Sequence, residues 1–387
     1  MGCYFQMGHD TENLVGETDL EAYAGIILSP VNRTPEELKR HIAAFKEKAA
    51  FDIVFDPQLY FPSSERGHLQ EHPHFPSNFD TANLGDISWW QAICRKLAEY
   101  CTSLGVNSVA SPCPVPKKWS NEFYADCAEI SESLQGELND AGIKVLTSVV
   151  VATKELTDKN RPYEIASVVS GKKSDGYFVV FDSETKPRRE LADEDELFGM
   201  LSLLRELKYS ERSCLVSPCS SDMVLFKYAG ADNCSTGKFF NLRRFTKSRY
   251  EEPSGGGGQL PYWFEQSLMA FLRRADILRL QREKHGSLLS TGHSDNHWSK
   301  RILEQLSTSP EDAWLGLSWR QYLSWFAKAE NELSSDRTQA MQWLKHAEEN
   351  WRMLEDEEIL FDEPRNDGSW IRSWRQSLIR FKKSEST

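Results

Sequence analysis

The chain has 387 residues, of which 40% are hydrophobic and 27% are charged, and its formal net charge at pH 7 is −12. This apolar content supports a packed core and excludes a fully disordered chain. No stretch approaches the roughly 18 uninterrupted apolar residues of a membrane-spanning helix, and the first residues lack the basic and apolar regions of a secretory signal. We therefore expect a cytoplasmic protein without a membrane partner. The acidic balance argues against coating nucleic acid through bulk charge, but it leaves room for a local basic groove.

Short apolar segments alternate with amphipathic segments along the first 280 residues. Signals for helix boundaries support this alternation, because Pro35 opens one predicted helix and Gly105 and Gly142 follow two others just before a strand. Seven strands are predicted near residues 25–30, 51–55, 107–111, 144–151, 175–181, 213–217 and 231–235. The intervening helices are predicted near residues 35–49, 89–104, 120–141, 163–170, 194–208 and 221–229.

Alternating strands and helices imply right-handed βαβ units and a parallel sheet. An eighth strand is predicted near residues 259–264, followed by a helix over residues 265–280. Eight such units in about 260 residues match the usual size of a (β/α)8 barrel. The alternative is an open doubly wound sheet, but no Gly-rich turn follows the first predicted strand. The predicted fold class is therefore α/β, a (β/α)8 TIM-type barrel.

The composition changes after about residue 285. The helices predicted there lie near residues 299–306, 319–333, 337–354 and 370–382, and their Trp residues recur at helical spacing, which indicates packing. We expect a (β/α)8 barrel catalytic domain over residues 1–284 and a Trp-rich helical appendage over residues 285–387. Most of the 12 Trp residues of the chain belong to this appendage, namely Trp298, Trp314, Trp319, Trp325, Trp343, Trp351, Trp370 and Trp374.

Neither the cysteines nor the histidines predict a metal site. The eight cysteines include no CxxC pair and are spread over a long chain, which favours reduced thiols. His72 and His74 have the spacing of two metal ligands, but no further residues complete a ligand set. The chain also lacks the sequence of a phosphate loop or a dinucleotide-binding turn. We expect neither a metal nor a cofactor.

The catalytic residues of a (β/α)8 barrel lie at the carboxyl ends of its strands. Asp56 follows the second predicted strand, where a carboxylate can act as a nucleophile or as a general acid and base, or can cap the turn at Pro57. Asp80 lies in the long loop over residues 61–86, and long loops at this end are often functional. The other polar candidates at predicted strand ends are Gln58, Asp182, Ser183 and Ser217.

The most informative stretch covers residues 228–249. It opens with Asp232 on a short predicted strand and continues with basic residues interleaved with phenylalanines, without an acid before Glu251. Such a pattern beside a catalytic rim suits a phosphate backbone and unstacked bases, and the alternative is a solvated amphipathic loop. The candidate residues for contact with a nucleic-acid backbone are Ser235, Thr236, Lys238, Arg243, Arg244, Lys247 and Arg249.

At these residues the chain resembles the tRNA-guanine transglycosylase superfamily, and especially its DNA-acting branch of DpdA-type 7-deazaguanine transglycosylases. The resemblance is carried by the barrel layout, by the Gly-x-Asp motif that ends at Asp232, and by the segments after Gly237 and over residues 259–264. The chain departs from the tRNA enzymes in two ways. Ser235 stands where they carry a second Asp, and no Cys follows Cys234, whereas they bind structural zinc near the C-terminus. The resemblance therefore implies DNA as the partner in preference to tRNA.

The resemblance implies a base exchange in DNA. A carboxylate would attack C1′ of a guanine nucleotide, a second acid would protonate the departing base, and a 7-deazaguanine such as preQ0 would then replace it. Asp232 is implied as the nucleophile and Asp56 as the acid and base, with Asp80 as the alternate. The implied contacts to the base are Gln58, Asp182, Ser183 and Ser217.

Two other functions remain open. The chain could be a barrel enzyme that acts on a small phosphorylated substrate, with the four glycines at residues 255–258 as the phosphate cradle. It could also be a non-catalytic barrel whose Trp-rich region binds a protein partner, such as one encoded nearby.

Overall fold

Eight short parallel strands form a closed barrel in the computed structural model of the chain. The structure describes residues 2–9, 11, 14, 22–48, 51–186, 188–250, 260–308, 314–361 and 366–385. The predicted (β/α)8 barrel with C-terminal helices is confirmed. The barrel strands are β1 (Tyr4–Gln6), β2 (Gly25–Leu28), β3 (Asp52–Phe55), β4 (Ser108–Ala110), β5 (Lys144–Ala152), β6 (Gly176–Asp182), β7 (Ser213–Val216) and β8 (Asn233–Gly237).

The barrel strands differ from the predicted set at both ends of the barrel sequence. No strand was predicted at β1, which pairs with both β2 and β8, with Tyr4 opposite Gly25 and Ser235. The predicted eighth barrel strand near residues 259–264 is wrong. Strand β9 (Trp263–Glu265) instead pairs antiparallel with β10 (Ala270–Leu272) in a separate two-stranded sheet. The helix predicted over residues 265–280 is confined to Arg274–Arg282, because β10 occupies the intervening residues.

Helices cover the outside of the barrel, and side chains cap several of them. Asp86 accepts hydrogen bonds from the backbone N–H groups of Ser88 and Trp89, and Gly105 ends the same helix with a left-handed φ of 63°. The helices between barrel strands are α1 (Pro35–Lys48), α2 (Ile87–Leu104), α3 (Asn121–Leu138), α4 (Arg161–Ser170), α5 (Glu194–Lys208) and α6 (Met223–Ala229). Among the described residues, five α-helices follow the barrel, namely α7 (Arg274–Arg282), α8 (His297–Thr308), α9 (Leu315–Ser335), α10 (Gln339–Asp356) and α11 (Ser369–Glu385).

The C-terminal helices pack directly on the barrel. Helix α9 lies against β8 and α6, and α11 lies against α5. Trp325 and Trp374 are completely buried, and the indole N–H of Trp374 donates to the backbone oxygen of Leu191 at 2.8 Å. These aromatic rings therefore join one continuous apolar core with the barrel, and the division at residue 284 remains a prediction. None of the helices in the described part of the chain combines the length and apolar character needed to cross a membrane.

Candidate functional site

A buried polar network closes the floor of the barrel mouth. The Gln6 amide donates to Ser29 Oγ at 3.2 Å and accepts from Ser217 Oγ at 3.2 Å. Gln58 Nε2 also donates to Ser29 Oγ at 2.7 Å, and Ser235 Oγ donates to Ser217 Oγ at 2.7 Å. These side chains therefore hydrogen-bond to one another inside the barrel. Gln58 and Ser217, predicted to contact a base, and Ser235, predicted to contact a nucleic-acid backbone, therefore form the floor beneath the mouth.

Asp56 lies where β3 ends, at the position predicted for a catalytic carboxylate. Its side chain is 5% exposed, and it accepts hydrogen bonds from the Gln58 backbone N–H at 3.0 Å and from the Tyr60 hydroxyl at 3.1 Å. Burial raises the pKa of Asp56 to about 6, against the opposing effects of these hydrogen bonds and of nearby Arg249. The carboxyl group can therefore bind or release a proton close to neutral pH, as a general acid or base must.

The segment that follows β8 covers Asp56. Phe245 and Tyr250 pack against the Tyr60 ring, with centroid distances of 5.1 and 5.5 Å. Arg249 extends into the mouth and donates to Ser29 Oγ at 2.6 Å. This guanidinium, predicted to hold a phosphate backbone, therefore binds the floor network of the mouth.

Asp232 lies at the opposite end of the barrel, and the prediction that it stands at the catalytic rim is wrong. It precedes the first residue of β8, and its carboxylate accepts from the backbone N–H of Cys214 at 2.9 Å and from Lys208 Nζ at 2.5 Å. The physical reason is that Gly230 ends α6 in a left-handed conformation, so that the strand begins after Asp232. At about 3.3 Å per residue, the length of β8 separates Asp232 from the rim by roughly 15 Å. Asp232 and Asp56 therefore cannot face the same sugar.

The position of Asp232 predicts the behaviour of an Asp232→Asn variant. We expect a loss of about 1 kcal/mol in the free energy of unfolding, because the ion pair with the half-exposed Lys208 is removed while the bond to the Cys214 N–H remains. Urea unfolding measures this loss. Asp52→Asn is the matched control, since Asp52 accepts from the Tyr4 hydroxyl at the same end of the barrel. A loss of several kcal/mol, well beyond that of Asp52→Asn, would contradict this assignment.

Asp80, the alternate catalytic acid, has a structural role. It is exposed, and its Oδ1 accepts from the Ala82 backbone N–H at 2.9 Å at the start of a 3-10 helix, Thr81–Gly85. Asn83 returns the interaction by accepting from the Asp80 backbone N–H at 2.7 Å. This reciprocal cap orders the loop, and a catalytic role for Asp80 stays a prediction.

The two histidines of the same loop are held by backbone and hydroxyl oxygens. The His72 ring nitrogens contact the Tyr100 hydroxyl at 3.0 Å and the Arg33 backbone oxygen at 2.9 Å, and His74 Nε2 contacts the Pro57 backbone oxygen at 3.2 Å. Burial lowers the pKa of His74 to about 3. Within the described ranges, no three His, Cys, Asp or Glu side chains are grouped closely enough to hold a metal ion.

The basic run after β8 is largely buried, which corrects part of the predicted nucleic-acid contact. Arg244 lies between Glu190, at 2.9 Å, and Asp222, at 3.5 Å. Thr236 is fully buried and hydrogen-bonded to the Tyr322 hydroxyl at 2.9 Å. The predicted contacts of Ser235, Thr236 and Arg244 with a phosphate backbone are therefore wrong, because these side chains lie inside the protein.

Of the other predicted contacts, Arg243 borders a cavity and Lys247 lies at the surface. Arg243 is buried but borders a cavity, with its guanidinium 3.7 Å above the Tyr322 ring. Lys247 is exposed, and its Nζ lies 3.0 Å from Asp182 at the end of β6. Ser183, the next residue, is half-buried. Asp182 is thus paired with a cation, and Lys247 remains the most accessible cation of the predicted backbone contacts.

A cavity of about 450 Å³ lies at this end of the barrel and combines cations with aromatic rings. Lys238 Nζ lies 3.7 Å from the centroid of the Trp319 ring, and the Arg188 guanidinium lies 5.8 Å from that of Phe240. None of the lining residues in the described part of the chain is acidic. The residues of this basic cavity are Lys186, Arg188, Arg189, Lys238, Phe239, Phe240, Asn241, Arg243, Leu260, Tyr262, Ser318 and Trp319.

Three cations of the basic cavity were not among the predicted site residues. Lys186, Arg188 and Arg189 follow β6, on the loop that leads to α5. The sequence feature that indicates them is a cluster of basic residues just beyond a strand end, which is where a barrel carries its active site.

A second cavity of about 260 Å³ adjoins the basic cavity. The two share Arg188, Arg189, Phe240 and Tyr262 in their walls, and the second cavity also includes the carboxylate residue Glu190. The two cavities are therefore neighbours: Arg188 and Arg189 line both of them, and Glu190 lines only the second.

Comparison with known proteins assigns the chain to no family. No family model matches the chain, and no curated protein matches it. A glycosyl hydrolase of the GH3 family from Mycobacterium smegmatis is 12% identical over 83% of this chain and 94% of its own, with a TM-score of 0.40. N-acetylneuraminate lyase from Mycoplasma synoviae is 12% identical over 88% of this chain and 97% of its own, with a TM-score of 0.35. A D-psicose 3-epimerase is 11% identical over 61% of this chain and 84% of its own, also with a TM-score of 0.35.

Fold and site together define the class. The chain is a (β/α)8-barrel protein with helices after the barrel, and its rim carries a buried carboxyl group and a basic, aromatic cavity. The TM-scores of the three solved structures are too low to say anything about its substrate.

Proposed function

We propose that the chain is an enzyme that binds a small phosphorylated substrate in the basic cavity and carries out acid–base chemistry at the barrel mouth. The basic cavity is the observation that carries this proposal. It places Lys186, Arg188, Arg189 and Lys238 around one space without an acid among the described lining residues. A phosphate group with charge close to −2 satisfies several such donors at once, and a partly enclosed wall strengthens each contact.

The position of the cavity supports the proposal. Phosphate sites in (β/α)8 barrels are commonly built from the loops after the last strands. Here Lys238 directly follows β8, and Lys186 and Arg188 follow β6. The glycines at residues 255–258, predicted as the cradle, lie outside the described residues, so the cations alone carry the anion site.

Asp56 is the proposed proton-transfer group. Its carboxyl group takes a proton from the substrate or returns one, and the Tyr60 hydroxyl and the Gln58 backbone N–H fix its orientation. The covering segment around Phe245 and Tyr250 limits the access of water to the carboxyl group, which sustains its raised pKa.

A double substitution tests the anion site. We expect Lys186→Ala together with Arg188→Ala to weaken pyrophosphate binding by about 10- to 100-fold, because two charge-assisted contacts are lost. Titration calorimetry measures the change. Lys117→Ala with Lys118→Ala removes two exposed charges elsewhere on the surface and is the matched control. Equal affinities for the two double variants would rule out the basic cavity as the anion site.

A base exchange in nucleic acid is a second candidate, and the aromatic rings of Phe239, Tyr262 and Trp319 between the cations favour it. In that reaction Asp56 would have to attack C1′, because Asp232 lies at the other end of the barrel. Modified-nucleoside analysis of DNA from cells with the wild-type chain and with Asp56→Asn tests it. Incorporation of a 7-deazaguanine that depends on Asp56 would favour base exchange over the small phosphorylated substrate.

A further inference from the structure

Three charged side chains from three separate segments meet behind the basic cavity. Glu190 comes from the loop after β6, Asp222 precedes α6, and Arg244 follows β8. Arg244 NH2 lies 2.9 Å from Glu190 Oε2 and 3.5 Å from Asp222 Oδ2, and Ser221 Oγ donates to Glu190 Oε1 at 2.9 Å. One guanidinium group therefore lies within ion-pair distance of two carboxylates.

The charges of this cluster do not balance when both acids are ionised. The side chains of Glu190, Asp222 and Arg244 are each at most 12% exposed, so water compensates little of the excess negative charge. Burial raises the pKa of Asp222, and it raises the pKa of Glu190 to about 7 while Arg244 opposes the change. A buried group of two acids and one cation gains stability by retaining one proton.

The cluster borders the cavity that adjoins the proposed anion site. Glu190 lines the second cavity, whose wall continues into the basic cavity through Arg188, Arg189, Phe240 and Tyr262. No histidine occurs among the described residues that line either cavity. Beside these cations, the carboxyl group of Glu190 is thus the group that burial favours in its protonated form.

We propose that the cluster of Glu190, Asp222 and Arg244 takes up a proton from solvent when an anion binds in the basic cavity, so that a phosphorylated substrate enters together with a proton. This inference rests on the anion site of the proposed function. The negative charge of the ligand disfavours an ionised Glu190. When Glu190 binds a proton, the repulsion between its carboxylate and the ligand is removed. Because the coupling is reciprocal, protonation strengthens anion binding by the factor with which the anion strengthens protonation.

The neighbouring charges identify the controls. Arg243 and Arg244 face Glu190 from the segment after β8, Asp222 faces it from the start of α6, and Arg188 and Arg189 stand on its own loop. Guanidinium groups keep their charge in proteins, so they do not supply the proton. Asp367, from the segment before α11, is the other carboxylate on the wall of the second cavity, and its Asp367→Asn variant is the matched control for Glu190→Gln.

The test uses sulfate, an anion whose charge does not change near neutral pH. Titration calorimetry at pH 7 in two buffers of different ionisation enthalpy gives the number of protons taken up with each sulfate. We expect uptake of a measurable fraction of a proton for the wild type and for Asp367→Asn, and close to none for Glu190→Gln. Sulfate affinity of the wild type should fall by up to about tenfold between pH 6 and pH 8, and that of Glu190→Gln should stay constant.

Each outcome separates the inference from the function on which it rests. Equal proton uptake by the wild type and Glu190→Gln, or no uptake by the wild type, would overturn the inference while leaving the anion site intact. If the wild type binds neither sulfate nor pyrophosphate, the anion site fails, and the inference fails with it. Should Glu190→Gln not fold, Asp222→Asn provides the second measurement. In this variant Arg244 pairs with Glu190 alone, so the pH range of proton uptake should move lower. An unchanged pH dependence of proton uptake would again overturn the inference.

Discussion

Replacing Glu330 with alanine is expected to lower the free energy of unfolding by about 3–5 kcal/mol, because it leaves a buried ammonium group without its counter-charge. Glu330 on α9 is fully buried, and its Oε1 accepts from Lys227 Nζ on α6 at 2.9 Å. Lys227 is also buried, and its other described partner is the backbone oxygen of Asp232 at 2.8 Å. This ion pair joins a C-terminal helix to the barrel. Urea unfolding followed by circular dichroism measures the loss.

A double substitution distinguishes the buried charge from lost packing. Lys227→Met with Glu330→Leu removes both charges and keeps most of the volume, so we expect it to cost less than Glu330→Ala alone. A loss below about 1 kcal/mol for Glu330→Ala would mean that water reaches the pair in solution and that α9 is not packed on α6 as described.

Replacing Asp56 with asparagine is expected to change how stability depends on pH. The folded pKa of Asp56, about 6, lies above the ordinary value of 3.8, so folding favours the protonated carboxyl group. Its contribution to stability is fully present below the ordinary value and is lost as the pH rises through about 6. Between pH 4 and pH 7 the wild type should therefore lose roughly 2 kcal/mol relative to Asp56→Asn. Urea unfolding of both proteins across this range measures the difference.

Tyr60→Phe provides a second measurement on the same carboxyl group. The Tyr60 hydroxyl donates to Asp56 Oδ2 and so favours the ionised form. Without this bond the pKa of Asp56 should rise further, and the pH range over which stability is lost should move upward. Parallel stability curves for the wild type and Asp56→Asn would show that Asp56 does not titrate in this range, and Asp56 would then lose its proposed role in proton transfer.

The sequence predicted those strands that are buried on both faces. Strands β5 and β6 begin and end within one residue of the predicted ranges, because continuous runs such as Val149, Val150 and Val151 are distinctive. Strand β1 escaped prediction because three residues show no periodicity, and only its two neighbours in the barrel define it as a strand. The segment near residue 263 is apolar enough for a barrel strand, but its antiparallel pairing with β10 depends on contacts remote from its own pattern.

The candidate site was predictable only where one residue marked a strand end. Asp56 directly follows an apolar strand, and the structure places it there. Asp232 has the same residue type beside a strand, but a short strand does not reveal from its sequence which end an adjoining acid occupies. The basic cavity draws its cations from two loops about 50 residues apart in sequence, with Arg188 on one and Lys238 on the other, and only barrel closure brings them together.

The pairing of β1 with β8 has a consequence for how the chain folds. Tyr4 and Ser235 are neighbours across these two strands, although more than 200 residues separate them in sequence. Each strand from β2 to β7 pairs with the strand that follows it in sequence, so it finds that partner as soon as the next unit exists. The pairing of β1 with β8 has no such local route, so we expect it to form after the pairings between consecutive strands. Until it closes, β1 and β8 each present an unpaired edge, and another molecule in the same state offers the matching edge. Protein concentration during refolding should therefore determine the partition between closed monomers and edge-to-edge aggregates.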